Sequence, residues 1–468
     1  MSREWSLGPE FELRCEVKAK EILIIYLIEG TAEIFGIELA LNRKYCFHDD
    51  NIALFTWSGC KVKTEGNCEA IYISHETPMV NIININAQLE ARRDVALAND
   101  DRGPRVMIVG PHDSGKSTLA RILGAYATRL DRLPILVDLD VGLGMLSVPG
   151  CVGAVPLDKN SFDVEGNFEL STPLIYYFGH TNPAENIQLY KHHITNLATK
   201  VNLRQENDLN SLSSGLIIKT FGWIDGQGYD LLLDIITLYS VDIVIVIGHD
   251  RLYSSLTSLN LPDRDPITVV KLSKSGGTVN RSDSDRRRLR RSKITEYFYG
   301  KRSSNDLINS LSTILSSSTA LSLQSQIDSL PNHYSPSRID LSLKNYTLLK
   351  PGGIQLPQSM MPIGVTSDKK LTNLSELKLI PCPLTVEMEH TVIGVLHGIN
   401  TLYSTTPRLP LDNINNEEFL NLLLNANVGG FICVVKVDLE HDILTVLSPR
   451  TNEIPSANLF VGSIKWVE

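Results

Sequence analysis

The residues of this chain best equipped for chemistry are Gly110-Pro-His-Asp-Ser-Gly-Lys-Ser-Thr118. Their spacing, Gly-x4-Gly-Lys-Ser-Thr, follows the apolar run 106–109 and precedes Leu119, Ile122, Leu123 and Tyr126 at helical intervals. Such a loop between a strand and a helix is a phosphate cradle, because glycines let backbone N–H groups close around anionic oxygens at a helix N-terminus. Lys116 is expected to meet the β- and γ-phosphates of a nucleoside triphosphate, and Ser117 or Thr118 to give a hydroxyl to Mg²⁺. The bland alternative is a glycine-rich turn with no ligand, and the strand–loop–helix context weighs against it.

Asp138-Leu-Asp-Val-Gly142 ends a second apolar run. Carboxylates at the C-terminal edge of a strand stand where open α/β sheets bind ligands. There one of them can hold Mg²⁺, or orient and deprotonate an attacking hydroxyl. Residues two apart on a strand face the same side. Asp140, nearer the strand end, is the candidate base or metal group, with Asp138 in support; a helix cap or loop ion pair is the competing reading.

The stretch 281–293 carries the densest basic cluster, with Arg286 and Arg290 sharing one helical face and Arg287 and Arg291 another. Arginines on a helix over a phosphate loop stabilise a transferring phosphoryl group; a solvated face or a nuclear-import patch explains the same composition. Trp223, flanked by glycines in Thr220-Phe-Gly-Trp-Ile-Asp-Gly-Gln-Gly-Tyr229, suits either base stacking or a buried anchor. His180 and Thr181 lie in a turn-forming segment that can touch a substrate phosphate.

The elements that must position these groups change character along the chain. Residues 22–28, 31–35, 51–57 and 70–74 are short β-forming runs punctuated by Gly30, Gly36, Gly59 and Gly66, and the charged run 88–93 is expected to be helical. From residue 105 onward, buried-strand candidates at 106–109, 135–139, 216–218, 241–247 and 267–272 alternate with helical stretches. That pattern predicts a doubly wound, mostly parallel sheet. The serine-rich stretch 303–329 reads as a helix plus linker or a partly ordered insertion. Strands return at 346–349, 392–396, 430–437 and 443–447, in a small C-terminal domain of mixed or β character.

A chain of 468 residues exceeds one ordinary core, so two to four domains are expected. The longest apolar runs fall far short of a membrane span, and the opening residues lack a signal-peptide pattern. Seven scattered cysteines without metal-site spacing indicate a reducing compartment, cytosol or nucleus. A net charge of −9 excludes general electrostatic coating of nucleic acid, so any RNA surface must be local.

Beyond the phosphate loop, an ordered series of segments carries a family likeness: Ala32-Glu-Ile-Phe-Gly36, Phe55-Thr-Trp57, Arg102-Gly-Pro-Arg105, Asp138-Leu-Asp-Val-Gly142, Phe178-Gly179 and Gly222-Trp223. Lys274-Ser-Gly-Gly277, Glu296-Tyr-Phe-Tyr-Gly300 and Val446-Leu-Ser-Pro449 continue it to the end of the chain. In these segments the sequence resembles the Clp-one family of polyribonucleotide 5′-hydroxyl kinases, subunits of the pre-mRNA cleavage and polyadenylation machinery. The resemblance implies an N-terminal β-sandwich (residues 1–99), a central P-loop kinase domain (100–302), and a linker with a small C-terminal α/β domain (303–468). It implies ATP and Mg²⁺ as ligands, a nuclear setting, RNA with a 5′-hydroxyl end as substrate, and cleavage-complex subunits as partners.

By the same resemblance, Asp113, Ser114, Gly115, Lys116, Ser117 and Thr118 take the triphosphate and metal roles. Asp140 takes the base role, Trp223 the RNA-base stack, and Thr181 a phosphate clasp. Arginines among 286–290 form the lid, with Arg287 and Arg290 the pair chosen to meet charge developing on the phosphoryl group. Glu12, in Phe11-Glu-Leu-Arg14, falls on the family's acidic adenine contact, and Asn51 on its basic one, a departure. Leu143 is a second departure, where the family usually has Gln after Asp-Val-Gly. The competing function is a catalytically silent, ATP-bound scaffold. A GTPase switch finds no Asn-Lys-x-Asp motif after a later strand.

Overall fold

The computed structural model describes residues 2–18, 21–166, 172–259, 266–300, 334–352, 377–397, 417–451 and 454–467. The serine-rich stretch 303–329 lies outside the described residues.

Antiparallel strands with one wet face alternate in burial. Cys60–Gly66 does so: Cys60, Val62 and Thr64 are buried while Lys61 faces out. It belongs to a four-stranded sheet with Ser2–Leu7, Leu23–Gly30 and Lys44–Phe47. A five-stranded sheet made of Ile37–Glu38, Glu33–Ile34, Asn51–Thr56, Phe11–Glu16 and Ala70–Ser74 faces it. Leu13, Ile25, Ile34, Leu54 and Val62 fill the space between them, giving the sandwich.

Helix Met79–Ala98 follows, and the charged run 88–93 marks only part of it. Its Ile82 and Leu89 join the apolar core of the central domain. Arg93, fully buried, donates to the Ser214 carbonyl at 3.0 Å and pairs with Glu90.

Strands buried on both faces read as continuous apolar runs, and every residue of Arg105–Val109 is buried. The central sheet runs in the order Leu174–Tyr177, Cys151–Pro156, Ile135–Asp138, Leu216–Lys219, Arg105–Val109, Ile243–Ile247, Thr268–Leu272. The last five are mutually parallel, and the first two form an antiparallel edge. That edge hairpin is hard to read from sequence because Gly153 and Pro156 look like turn signals. In the fold, a Cβ on Gly153 would lie 2.5 Å from the Ile175 side chain, so the glycine is a packing requirement.

The C-terminal sheet is mixed, in the order Ser337–Ser342, Ile443–Ser448, Val428–Asp438, Thr391–Leu396, Asn458–Lys465, Thr347–Gly352, Lys378–Pro381. Asn458–Lys465 and Thr347–Gly352 pair in parallel, the other neighbours antiparallel. Phe431 and Phe460 meet Tyr177 of the central sheet edge-on. Closer to the site, Gly179 and Gly462 pass so near that a Cβ on Gly462 would lie 2.5 Å from the Gly179 backbone.

Candidate active site

The phosphate loop sits between buried strand Arg105–Val109 and helix Lys116–Arg129, with Gly115 as N-cap in the left-handed region at φ 95°. A side chain at that φ is strained, which is why glycine stands there. Ser114 Oγ is buried without a hydrogen-bond partner among the described residues. The Lys116 ammonium curls over the loop, donating to the carbonyls of Gly110 at 2.8 Å and Pro111 at 2.7 Å. Burial lowers its pKa from 10.5 to about 8.

Loop residues 111–118 line a cleft of about 1350 Å³, together with Asp140, Leu143, Thr181, Lys219, Trp223, Arg286 and Arg290. An orphaned buried hydroxyl, a desolvated ammonium and a helix N-terminus fit a triphosphate. Ser117 and Asp140 bring hard oxygen donors to the same cleft, the ligand type Mg²⁺ takes alongside nucleotide phosphates.

Asp140 is held by two partners. Its Oδ1 accepts from the Gly142 N–H at 3.0 Å, and its Oδ2 lies 3.3 Å from the Lys219 ammonium. Lys219 also reaches Asp138 at 3.1 Å. Burial pushes both carboxyls up. For Asp140 the charges of Lys219 and then Lys116 outweigh it, leaving that carboxyl below its ordinary range, whereas Asp138 stays above. The strand ends are latched together: Thr220 Oγ1 donates to Ile108 O at 2.8 Å, Leu139 N to Lys219 O at 2.9 Å, and Tyr190 Oη to Leu139 O at 2.7 Å.

The basic cluster is a helix, Asp283–Tyr299, opened by a Ser282–Asp285 capping box. Arg286 pairs with Asp113 of the phosphate loop at 2.6 Å, and the same carboxylate accepts from the Arg281 N–H at 3.0 Å. Arg288 pairs with Asp49 of the sandwich. At the far end of the helix, Tyr297 Oη accepts from Phe431 N at 2.9 Å, and Phe298 stacks on Trp466 at 5.3 Å.

Trp223 is half-buried in the cleft wall, and Gly228 leaves room for its ring, since a Cβ there would lie 2.6 Å from the indole. Thr181 lines the cleft, while His180 turns away to Ser463 at 2.7 Å and Glu185 at 3.0 Å. Arg290 faces the cleft; Arg287 is exposed and stands outside the lining residues. Glu12 is buried against Arg14 at 2.9 Å and against Thr77, and Asn51 begins the strand opposite Glu16. Neither is among the lining residues; from the sandwich, Cys46, His48, Asp49 and Asp50 are.

Three groups escape sequence reading: Lys219, Arg286 as the partner of Asp113, and the Asp49–Arg288 tie. The first had a signal, a lysine closing the otherwise apolar run Leu216-Ile-Ile-Lys219. The other two join residues far apart in the chain and left none.

Family models match three successive stretches. Residues 6–96 match the N-terminal beta-sandwich domain of polyadenylation factor. Residues 110–300 match the P-loop of mRNA cleavage and polyadenylation factor CLP1, and 334–468 match pre-mRNA cleavage complex II protein Clp1. The chain belongs to the Clp1 family.

Among Clp1 relatives, the proteins of Gallus gallus and Homo sapiens named polyribonucleotide 5′-hydroxyl-kinase Clp1 are each 36% identical over 466 residues, covering 99% of this chain and 96% of theirs. The CLP1 homolog of Nematostella vectensis is 35% identical over 470 residues, covering 100% of this chain and 97% of its own. Two solved Clp1p structures share the fold at TM-scores of 0.77 and 0.75, with 22% and 23% identity, each covering 100% of this chain and 99% of its own. Both describe Clp1p with Pcf11p. Leu143, read from the sequence as a departure from the family pattern, lines the same cleft as Asp140.

Proposed function

We propose that this chain is an ATP-dependent polyribonucleotide 5′-hydroxyl kinase that works as a subunit of the nuclear pre-mRNA cleavage and polyadenylation machinery. The observation that carries the reading is the convergence of Lys116, Asp140, Trp223, Thr181 and Arg290 on one cleft at the end of the central sheet, in a chain 36% identical to named kinases of this family.

The loop N–H groups and Lys116 hold the ATP phosphates. Asp140, fixed by Gly142 and Lys219, accepts the proton of the RNA 5′-hydroxyl. The hydroxyl oxygen bonds to the γ-phosphorus as the bond to the β–γ bridging oxygen breaks, leaving ADP. Arg290 faces the charge that spreads over the equatorial oxygens. Ser117 and Asp140 would hold Mg²⁺, which neutralises phosphate charge when bound. Trp223 offers its half-buried face to the terminal RNA base, and Thr181 its hydroxyl to the adjoining phosphate.

Partner proteins resembling the Pcf11p seen with Clp1p fit the subunit role. The Leu143 side chain in the cleft favours a second reading, a catalytically silent ATP-bound scaffold. Incubating the purified chain with γ-labelled ATP and 5′-hydroxyl RNA decides between them. Label on the RNA 5′ end, lost with Lys116→Ala, is the kinase; retained ATP without transfer is the scaffold.

A further inference from the structure

Lys219 has no place in the mechanism above beyond its contact with Asp140, yet it is among the most completely buried charged groups of the fold, 2% exposed. Its position is set by the backbone. In the parallel sheet Lys219 lies opposite Asp138 on one side and Ile108 of the phosphate-loop strand on the other. The Thr220 latch to the Ile108 carbonyl at 2.8 Å fixes where its side chain begins. From there the ammonium reaches Asp138 at 3.1 Å and Asp140 at 3.3 Å, and it borders the cleft that holds Lys116.

The charge count matters more than the pairing. Buried Asp138, half-buried Asp140 and the Lys219 ammonium sum to one negative charge at the strand ends, before the nearby charge of Lys116 is counted. Two neighbouring carboxylates without a cation form an oxygen cage suited to a dication. A carboxylate pair already neutralised by half holds one far more weakly, because the ammonium repels the incoming metal across a few ångströms of low-dielectric interior. The ammonium also contacts Asp140 Oδ2, while the Gly142 N–H donates to Oδ1. The plane of the carboxylate is thereby set before anything binds it.

We propose that Lys219 is a positioning residue and a built-in counter-cation for Asp138 and Asp140. It orients Asp140, and it leaves the pair too weakly charged to hold Mg²⁺ without the phosphates of the nucleotide. Metal and triphosphate are then taken up together. A dication bound at Asp140 ahead of ATP is disfavoured. The inference rests on the kinase reading for its purpose, though not for its test.

The test uses the full chain and Mn²⁺ as a paramagnetic substitute for Mg²⁺, titrated by electron paramagnetic resonance without nucleotide. Lys219→Met keeps the length of the side chain and removes the charge. It should bind Mn²⁺ at least about tenfold more tightly than the unaltered chain, and a further Asp140→Asn change should abolish the gain. Affinity for ATP with Mn²⁺ present should stay within about threefold, while kcat should fall more than about tenfold at nearly constant KM for ATP. An unchanged Mn²⁺ affinity in Lys219→Met overturns the proposal, as does a kcat within about twofold of the unaltered chain.

Because buried carboxylates left unpaired endanger folding, Lys219→Gln, which retains an N–H donor without the charge, is examined alongside and should show the same gain. The unaltered chain alone also decides the matter. Tight nucleotide-free Mn²⁺ binding that Asp140→Asn removes is incompatible with the proposal. Failure of the unaltered chain to transfer phosphate would remove the kinase reading and leave the Mn²⁺ comparison standing.

Discussion

Raising the pH should weaken ATP binding through Lys116. Burial lowers this lysine to about 8, so its ammonium, which the phosphates require, is present below that pH and lost above it. At pH 7 about nine-tenths of the chain carries the charge, and at pH 9 about one-tenth, by the ordinary titration relation. Bound phosphates restore the lysine to its charged form, so each binding event at pH 9 must take up close to one proton. The expected loss of affinity between pH 7 and 9 is therefore about tenfold, or roughly 1.4 kcal/mol.

Two other groups in the cleft are moved away from this window. Lys219 is raised above 10.5, where its partners Asp138 and Asp140 outweigh its burial, and burial lowers His112 below 6.5. A phosphate monoester has its second pKa near about 6 and is ionised throughout. Isothermal titration of ATP into the chain at pH 7, 8 and 9, in two buffers of different ionisation enthalpy, reads both affinity and proton uptake. A flat affinity with no uptake at pH 9 would refute the argument, since it would mean that Lys116 keeps its proton despite burial or does not meet the phosphates.

Other substitutions separate the remaining roles. Asp140→Asn preserves shape and should lower kcat by about 10²-fold or more with ATP affinity nearly unchanged, read by label transfer and by nucleotide titration. Arg290→Ala should lower kcat by about tenfold or more, whereas Arg287→Ala, at an exposed position outside the cleft lining, should leave kcat within about twofold; the two are compared at saturating ATP and RNA. Gly462→Ala must push the Gly179 backbone away from a contact of 2.5 Å. It should raise KM for RNA through the neighbouring Thr181 and lower thermal stability by about 1–3 kcal/mol, with KM for ATP unmoved.

The central sheet was legible because parallel strands buried on both faces advertise themselves as apolar runs, and 106–109, 135–139, 216–218 and 243–247 did so. The phosphate loop was legible for a different reason: few sequences satisfy its demands on glycine, lysine and hydroxyl at once. What escaped was long-range and electrostatic. No local pattern says that Asp113 spends its carboxylate on Arg281 and Arg286, more than 160 residues away, or that Asp49 meets Arg288. Helical spacing put Arg287 among the candidates, but only packing decides which flank of a helix faces a cleft. The Arg286 and Arg288 pairings turn that helix so that Arg287 faces solvent.

The helix that bears the arginines touches all three folding units among the described residues. Its first turns are tied to the phosphate loop by Asp113 and to the sandwich by Asp49, and its last turn is wedged against Phe431 and Trp466 of the C-terminal sheet. A strut fastened at both ends cannot swing as a rigid flap without breaking one set of contacts. Adjustment to substrate then falls to the side chains along its middle, 289–293. It also means that the three folding units share one cooperative element. Binding energy delivered at the phosphate loop is felt by all of them, and ATP should raise the melting of the sandwich and of the C-terminal sheet together, in a single transition.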